Sequence, residues 1–598
     1  MLQRSLSMLL LATLFTITIM ATPYADEMPG ESMSKMVSAE AVFFLELNDL
    51  HKSLERAKDL SIVKLFNDPE VQALFEGLKS MKEQEVDDFL TKFQDYTTRI
   101  AEAFSGRAMI CIPRIDMEQK LIEVVAAASV APGKEAEAKA LFELLISAMM
   151  NDPKNQDKIT TEDFGGVQVT IMRAKPEQEE KMNVCLAMHK NQAIVTLGSQ
   201  TMKDYLGYFE VPPARPLFDL PAFAKLYKAV SCKEVFWFVD ANAAIKMFAR
   251  IFDFVPAGNA EILDVVKGLM DKFSTLISYA AGGITFDGEM MNDEIAVQYT
   301  PAAMQLKSIT SMRGSVCELK TAKFVPENAL YYTATRINWV DTYSDFEGML
   351  PESWREQIKN IENSLMLSLK DEILPALGDE YCSYFTMQGI MPSSLYAIEL
   401  KNPEVIAKVL AGLNTVVPYP IQEVDFREHK IYKLSMGGGV PGPFAATTIW
   451  GFAIHDGYLL AGYFNTVQAV ISHTGKDITA NPEYQKALLA TPPKTGFIFL
   501  DVKNLFGWIY DTVLPFLQPM LAQNPNFDPA LLPSRDAILG YLQPMSANTE
   551  LVDDMAMVRI KSPVAMSPVL GVIFIAISAV MFAAPDNRGN NGGDEGVF

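Results

Sequence analysis

The feature that most constrains this 598-residue chain is that its body is written twice. Four stretches share one pattern: AEAVFFLELNDLHKSLERA (39–57), CKEVFWFVDANAAIKMFARIF (232–252), ENALYYTATRINWVDTYSDF (327–346) and KTGFIFLDVKNLFGWIYDTV (494–513). Each opens on a short aromatic and β-branched run, which favours a strand. Each then passes a polar turn and enters an amphipathic helix. Asn48 or Asp49, Asp240 and Asp501 stand where a side-chain oxygen can cap the first helical turn.

The order of elements between these stretches recurs as well. SGRAMICIP, LIEVVAAASV and PGKEAEAKALFELLISAM read strand, strand, helix; LGDEYCSYFTMQG, SLYAIEL and NPEVIAKVLAGL repeat that series later. FGGVQVTIM followed by VCLAMHKNQAIVTLGSQTMKDYL has its counterpart in HKIYKLSM followed by WGFAIHDGYLLAGYFNTVQAVI. His189 and His455 open equivalent turns, HKNQ and HDGY, between paired strands; Asp-Gly is a strong hairpin signal. The separations agree: 232 to 494 is 262 residues, 189 to 455 is 266, and 39 to 327 is 288. The larger value predicts an insertion in the first half, between its opening helix and its middle strands.

Alternating strands at 282–300 and 549–561 close the two halves. The expected organisation is therefore a first α+β half at 37–305, a linker at 306–324 and a second α+β half at 325–562. Each half is expected to be twisted, largely antiparallel sheet with helices packed over one face.

The two ends carry localisation signals. Residues 1–25 combine Arg4, an apolar run from Met8 to Met20, and Ala21 or Ala25 as small cleavage-site residues, the layout of a signal peptide; an uncleaved anchor is the competing reading. Residues 563–584 hold no charge and match the length of a helix that crosses the hydrocarbon layer. The expectation is a C-terminal transmembrane helix, with the body outside the cytoplasmic membrane and a disordered tail at 585–598 inside.

A formal charge of −22 argues against nucleic acid as a partner, because polyanions repel it. Cys111, Cys185, Cys232, Cys317 and Cys382 are widely spaced and mostly sit in apolar runs, which suits core filling better than metal or redox chemistry.

Candidate chemistry is sparse. His51, His189, His429, His455 and His473 lack companion ligands at metal-binding spacing. No H-E-x-x-H, G-x-S-x-G, C-x-x-C or EF-hand pattern occurs. The loop SMGGGVPGP (435–443) lacks the Lys and Ser/Thr of a phosphate cradle, and HTGKDIT (473–479) lacks the preceding glycine. Acidic pairs occur at Asp287/Glu289, Asp379/Glu380 and Asp553/Asp554. Adjacent strand residues point to opposite faces, so the last two are poor catalytic dyads, and Asp287/Glu289 beside Gly288 reads as a hairpin edge. The aromatics Phe236, Trp237, Phe238, Tyr331, Tyr332, Phe497, Phe499 and Trp508 fit strand–helix packing, with a ligand groove as the alternative. No catalytic, cofactor-binding or metal residue and no cofactor is assigned.

PENALYY (326–332), LGDE (377–380), the export signal and the small-residue C-terminal segment resemble a bacterial family carrying the domain of unknown function DUF3352, known from planctomycete and verrucomicrobial-type envelopes. The resemblance spans most of 37–562; the first half shows SGRA where the second has LGDE. The family has no assigned catalytic residues, so none is carried over. The expected role is that of an exported, membrane-anchored envelope protein with a non-enzymatic binding or structural function and an envelope-protein or glycan partner. The alternative is a small-ligand or glycan-binding or -processing protein with its site between the halves.

Overall fold

The computed structural model describes residues 32–564 apart from 49–52, 54–55, 81–98, 100–102, 105, 117–120, 151–158, 174–182, 252–259, 351, 390, 418, 436–448, 473–474 and 522–528. The described residues form one continuous sheet of twenty strands with helices against both faces.

The first ten strands are β1 (Phe43–Leu47), β2 (Ala108–Asp116), β3 (Leu121–Ser129), β4 (Ile159–Phe164), β5 (Val167–Met172), β6 (Val184–His189), β7 (Gln192–Leu197), β8 (Val235–Val239), β9 (Ile277–Asp287) and β10 (Met290–Tyr299). The second ten are β11 (Tyr331–Arg336), β12 (Leu377–Gln388), β13 (Met391–Leu400), β14 (Ile421–Phe426), β15 (His429–Ser435), β16 (Ile449–His455), β17 (Tyr458–Tyr463), β18 (Gly496–Leu500), β19 (Met545–Val552) and β20 (Met555–Ser562). All pairings are antiparallel.

The pairings trace the order β4-β5-β6-β7-β3-β2-β1-β8-β9-β10 and then β20-β19-β18-β11-β12-β13-β17-β16-β15-β14. Every strand of the second run holds the place of the strand ten earlier. The runs meet edge to edge where β10 pairs β20, from Met291 opposite Ser562 to Gln298 opposite Met555. Matching the hairpins β9–β10 and β19–β20 sets a residue equivalent to the one 265 later. Glu294 is then the equivalent of Arg559, and these two face each other across the seam. The local two-fold axis passes through that pair, whose Nε–Oε1 distance is 3.1 Å.

The aromatic strands are apolar on both sides because both sides are covered. In β1 all five residues are buried. Phe44 packs with Phe236, Phe238 and Phe223 under the helices Ser199–Gly207 and Pro221–Ala229, while Phe43, Leu45 and Leu47 pack with Trp237, Leu60 and Leu141 on the opposite face. Tyr332, Tyr384, Phe497 and Phe499 form the corresponding core of the second run with Tyr484, and Ile406 and Leu410 cover its other face.

Two parts of the expected architecture are corrected. Helices lie on both faces, not one, and the halves join in one sheet, with Met555 and Met557 of β20 packing among first-half residues. Among the described residues, moreover, no helix is long and apolar enough to cross a membrane. The longest, Ala260–Leu276, carries Asp271 and Lys272. The expected fold is corrected in that element for the described residues alone; 565–584, the bulk of the segment expected as a C-terminal transmembrane helix at 563–584, lies outside the described residues, like the tail and the signal segment.

Local sequence explains the joins. Asp240 and Asp501 cap the helices that follow β8 and β18, accepting from Ala243 N and Asn504 N at 2.9 Å. Asn48 instead donates to Lys233 O, and Asn338 caps the helix after β11. The turns at Lys190–Asn191 and Asp456–Gly457 both have positive φ throughout, as two-residue hairpins of right-handed twist require.

Candidate functional site

The described surface holds a cleft of about 250 Å³ at one end of β11, β12 and β13, lined by Val316, Glu318, Lys320, Arg336, Asp379, Glu380, Glu399, Leu400 and Lys401. Four chain segments converge there. Arg336 ends β11, Asp379 and Glu380 lie near the start of β12, and Glu399 to Lys401 close β13 and continue past it. Leu319 adopts a left-handed conformation (φ 57°, ψ 33°) at the start of the 3₁₀ turn Lys320–Phe324, setting Glu318 and Lys320 at the opposite wall. A leucine pays steric strain for that conformation.

The charges separate into two groups. Asp379 lies 2.8 Å from Arg336 and 2.6 Å from Lys401, leaving that wall one positive charge in excess. Lys320 lies 3.1 Å from Glu318 and 3.7 Å from Glu399, and with Glu380 also lining the cleft this group is net negative. Burial pushes the Asp379 carboxyl up, but Lys401 and Arg336 outweigh it and hold it below the usual carboxylate range. The hydrogen bond to Glu318, then the charge of Glu399, holds the Lys320 ammonium above its ordinary value. Glu380 is spent on structure: one oxygen accepts from Thr321 N and Thr321 Oγ1, each at 2.8 Å.

The first run lacks this chemistry at the matching positions. Through the paired registers, Arg336 corresponds to Asn48, Asp379 to Gly106, Glu399 to Ser129 and Lys401 to Ala131. Both runs bring a glycine against this end of the neighbouring strand: a Cβ on Gly106 would meet Ser129 Cβ at 2.8 Å, and one on Gly378 would meet Glu399 Cβ at 2.6 Å.

The other residues weighed from sequence have structural posts. His189 and His455 lie near opposite ends of the sheet; His189 meets Phe209 edge-on, and His455 Nδ1 is 3.3 Å from His429 Nε2. His51 and His473 lie outside the described residues, as does most of the 435–443 loop. Asp287 pairs with Lys561 at 2.9 Å and Glu289 with Lys64 at 3.1 Å, so that couple does not converge on a site. Asp554 binds Lys225, and Asp553 O accepts from Arg313. Phe236, Phe238, Tyr332, Phe497 and Phe499 are buried core, Trp237 is buried on the opposite face, Tyr331 is half-buried, and Trp508 Nε1 donates to Gly389 O. The five cysteines are free and buried; burial pushes the Cys232 and Cys382 thiols up to about 12.

Sequence reasoning weighed Asp379 and Glu380 but missed Glu318, Lys320, Arg336, Glu399 and Lys401. One signal was available: Glu-Leu-Lys occurs at both 318–320 and 399–401.

No family model matches this chain, and no curated protein does. Among solved structures, the chain is similar to that described as "Structure of crystal form I of TP0453", at 11% identity over 44% of this chain and 77% of that one, with a TM-score of 0.22. Crystal form IV of the same protein gives 12% identity over 46% of this chain and 82% of that one, with a TM-score of 0.23. At such scores the likeness carries no argument about fold or function.

Proposed function

We propose that this chain is an exported protein of the bacterial cell envelope with a binding or scaffolding role rather than a catalytic one. Export rests on the signal-peptide layout of residues 1–25, and the envelope assignment on the resemblance to the DUF3352 family. The observation that carries the non-catalytic part is the employment of its polar groups. Glu46 bonds Ser32 and Met33, Glu234 bonds Phe286 and Arg56, Glu294 bonds Ser231 and Arg559, and Asp501 caps a helix. Groups that could act as acids or bases thus hold strands and turns together, and the thiols are shut away from solvent. A twenty-strand sheet so fastened is a rigid support for surfaces presented to a partner.

The test is expression of the full chain in a bacterial host, with cell fractionation and in-cell crosslinking. Protease-accessible protein in spheroplasts and a reproducible crosslinked envelope partner are expected. Full-length protein confined to the cytoplasm, or protein that crosslinks to nothing, would overturn the reading.

A further inference from the structure

We propose that the charged cleft binds a small zwitterion, a free amino acid or dipeptide, with its carboxylate at Arg336 and Lys401 and its ammonium at Glu399 and Glu318. This deepens the binding role above by giving it a ligand class.

Three observations carry it. First, the charge is polarised: around Asp379 the cations Arg336 and Lys401 leave positive charge in excess, and around Lys320 the carboxylates Glu318, Glu399 and Glu380 leave negative charge in excess. A ligand carrying both charges matches both walls, whereas a simple anion or cation opposes one of them. Second, the volume is right. About 250 Å³ falls below the ~300–1,000 Å³ of drug-sized sites, which suits a ligand of one or two residues. Third, the duplicated run supplies an internal comparison. Asn48, Gly106, Ser129 and Ala131 hold the same strand register with uncharged residues, so the fold does not need these charges.

The ion pairs already present do not bar entry. Their members are partly exposed, and such pairs are weak in water. Glu399 reaches Lys320 only at 3.7 Å, and Asp379 meets Arg336 through one guanidinium nitrogen, whereas the guanidinium offers five donors. An incoming carboxylate can share Arg336 in a two-pronged bond without expelling Asp379.

The experiment is calorimetric titration of the full-length protein at pH 7 and low salt with L-alanyl-L-alanine. Its N-acetyl derivative removes the ammonium and its C-terminal amide removes the carboxylate. Binding of the free dipeptide, weakened about tenfold or more by either block, is expected. Lys401→Ala should weaken the free dipeptide and the N-acetyl form about equally. Glu399→Gln should weaken the free dipeptide while leaving the N-acetyl form unchanged, a split that general loss of structure does not produce. Ser129→Ala, at the first-run position equivalent to Glu399, should change nothing. No heat with alanine, glycylglycine or alanylalanine, or equal binding of blocked and free peptides, would overturn the proposal. An exported, crosslinking protein that ignores dipeptides leaves the envelope reading standing and ends this one; a cytoplasmic protein that binds them does the reverse.

Discussion

At the scale of single residues the two runs solve the same problem with different side chains. The 3₁₀ turn before the first strand is held in the first run by Glu46 of β1, which accepts from Met33 N and Ser32 Oγ. In the second run Ala334 takes the Glu46 place, and Glu380 of β12, at the position of Arg107, binds Thr321 instead. A carboxylate has moved one strand over and kept its task.

Glu234 offers a pH test. Burial pushes its carboxyl up to about 7, against an ordinary 4.5, although Phe286 N and Arg56 pull the other way. The folded state therefore holds this proton more tightly than the unfolded state. The contribution is fully present below pH 4.5 and is lost as pH rises to about 7. In Glu234→Gln, stability compared by urea unfolding at pH 5 and pH 8 should vary by roughly 2–3 kcal/mol less than in the parent protein. An unchanged pH difference would contradict the assigned cause.

The pair on the local axis gives a second test. Glu294 is nearly buried and accepts from Ser231 Oγ at 2.7 Å and Arg559 Nε at 3.1 Å, and Arg559 also binds Glu550. Identical halves would place like charges opposite each other here. Arg559→Ala leaves two carboxylates without their shared guanidinium and should cost about 2 kcal/mol in chemical denaturation. Arg559→Glu should cost more, since it adds repulsion at the same point.

At the scale of elements, close backbone approach decides what β9 tolerates. A Cβ on Gly283 would lie 1.7 Å from Cys232 O, and one on Gly282 would meet the Trp237 ring at 2.5 Å. The equivalents in β19 are Asn548 and Ala547, so the constraint belongs to the first run alone. Gly283→Ala must push the segment before β8 away from β9 and should destabilise by about 3 kcal/mol or more. Gly268→Ala, in a helix and with open space, should be neutral or slightly stabilising. Thermal denaturation of the two variants side by side separates these outcomes.

Much of this element order was legible. The separations of 266 and 288 match registers in which His189 corresponds to His455 and Phe44 to Tyr332, and 262 falls one residue from the register that sets Phe236 at Phe497. They were readable because hairpin turns and capping aspartates leave local marks. Coverage of both faces was not. FFLEL and VFWFV give no alternation, and a continuous apolar run does not reveal how many sides are packed. The cleft was also hidden, because Glu318, Arg336, Asp379 and Lys401 come from separate segments that only the β11–β12–β13 register brings together.

At the scale of the whole molecule the seam determines how the chain unfolds. Repeated units of this size joined by a linker commonly unfold independently. Here β10 is a central strand with β9 on one side and β20 on the other, and β20 methionines pack into the first-run core. Side-chain ties add to it: Lys225 binds Asp554, Tyr541 Oη donates to Asp68, and Glu70 accepts from Ser534 N. Unfolding either run alone would strip one side of a central strand and expose the apolar surface packed around Met555 and Met557, so the described body should melt in one calorimetric transition. Ala296→Pro tests the cause. Ala296 is fully buried and sits between Ala281 and Met557; a proline there removes an N–H from a central strand and is poorly tolerated. The variant should show the first-run transition displaced to lower temperature and separated from the second, while β11–β18 pairing survives. Two resolved transitions in the parent protein would mean that the runs are only adjacent. A single lowered transition in Ala296→Pro would mean that the coupling extends beyond this seam.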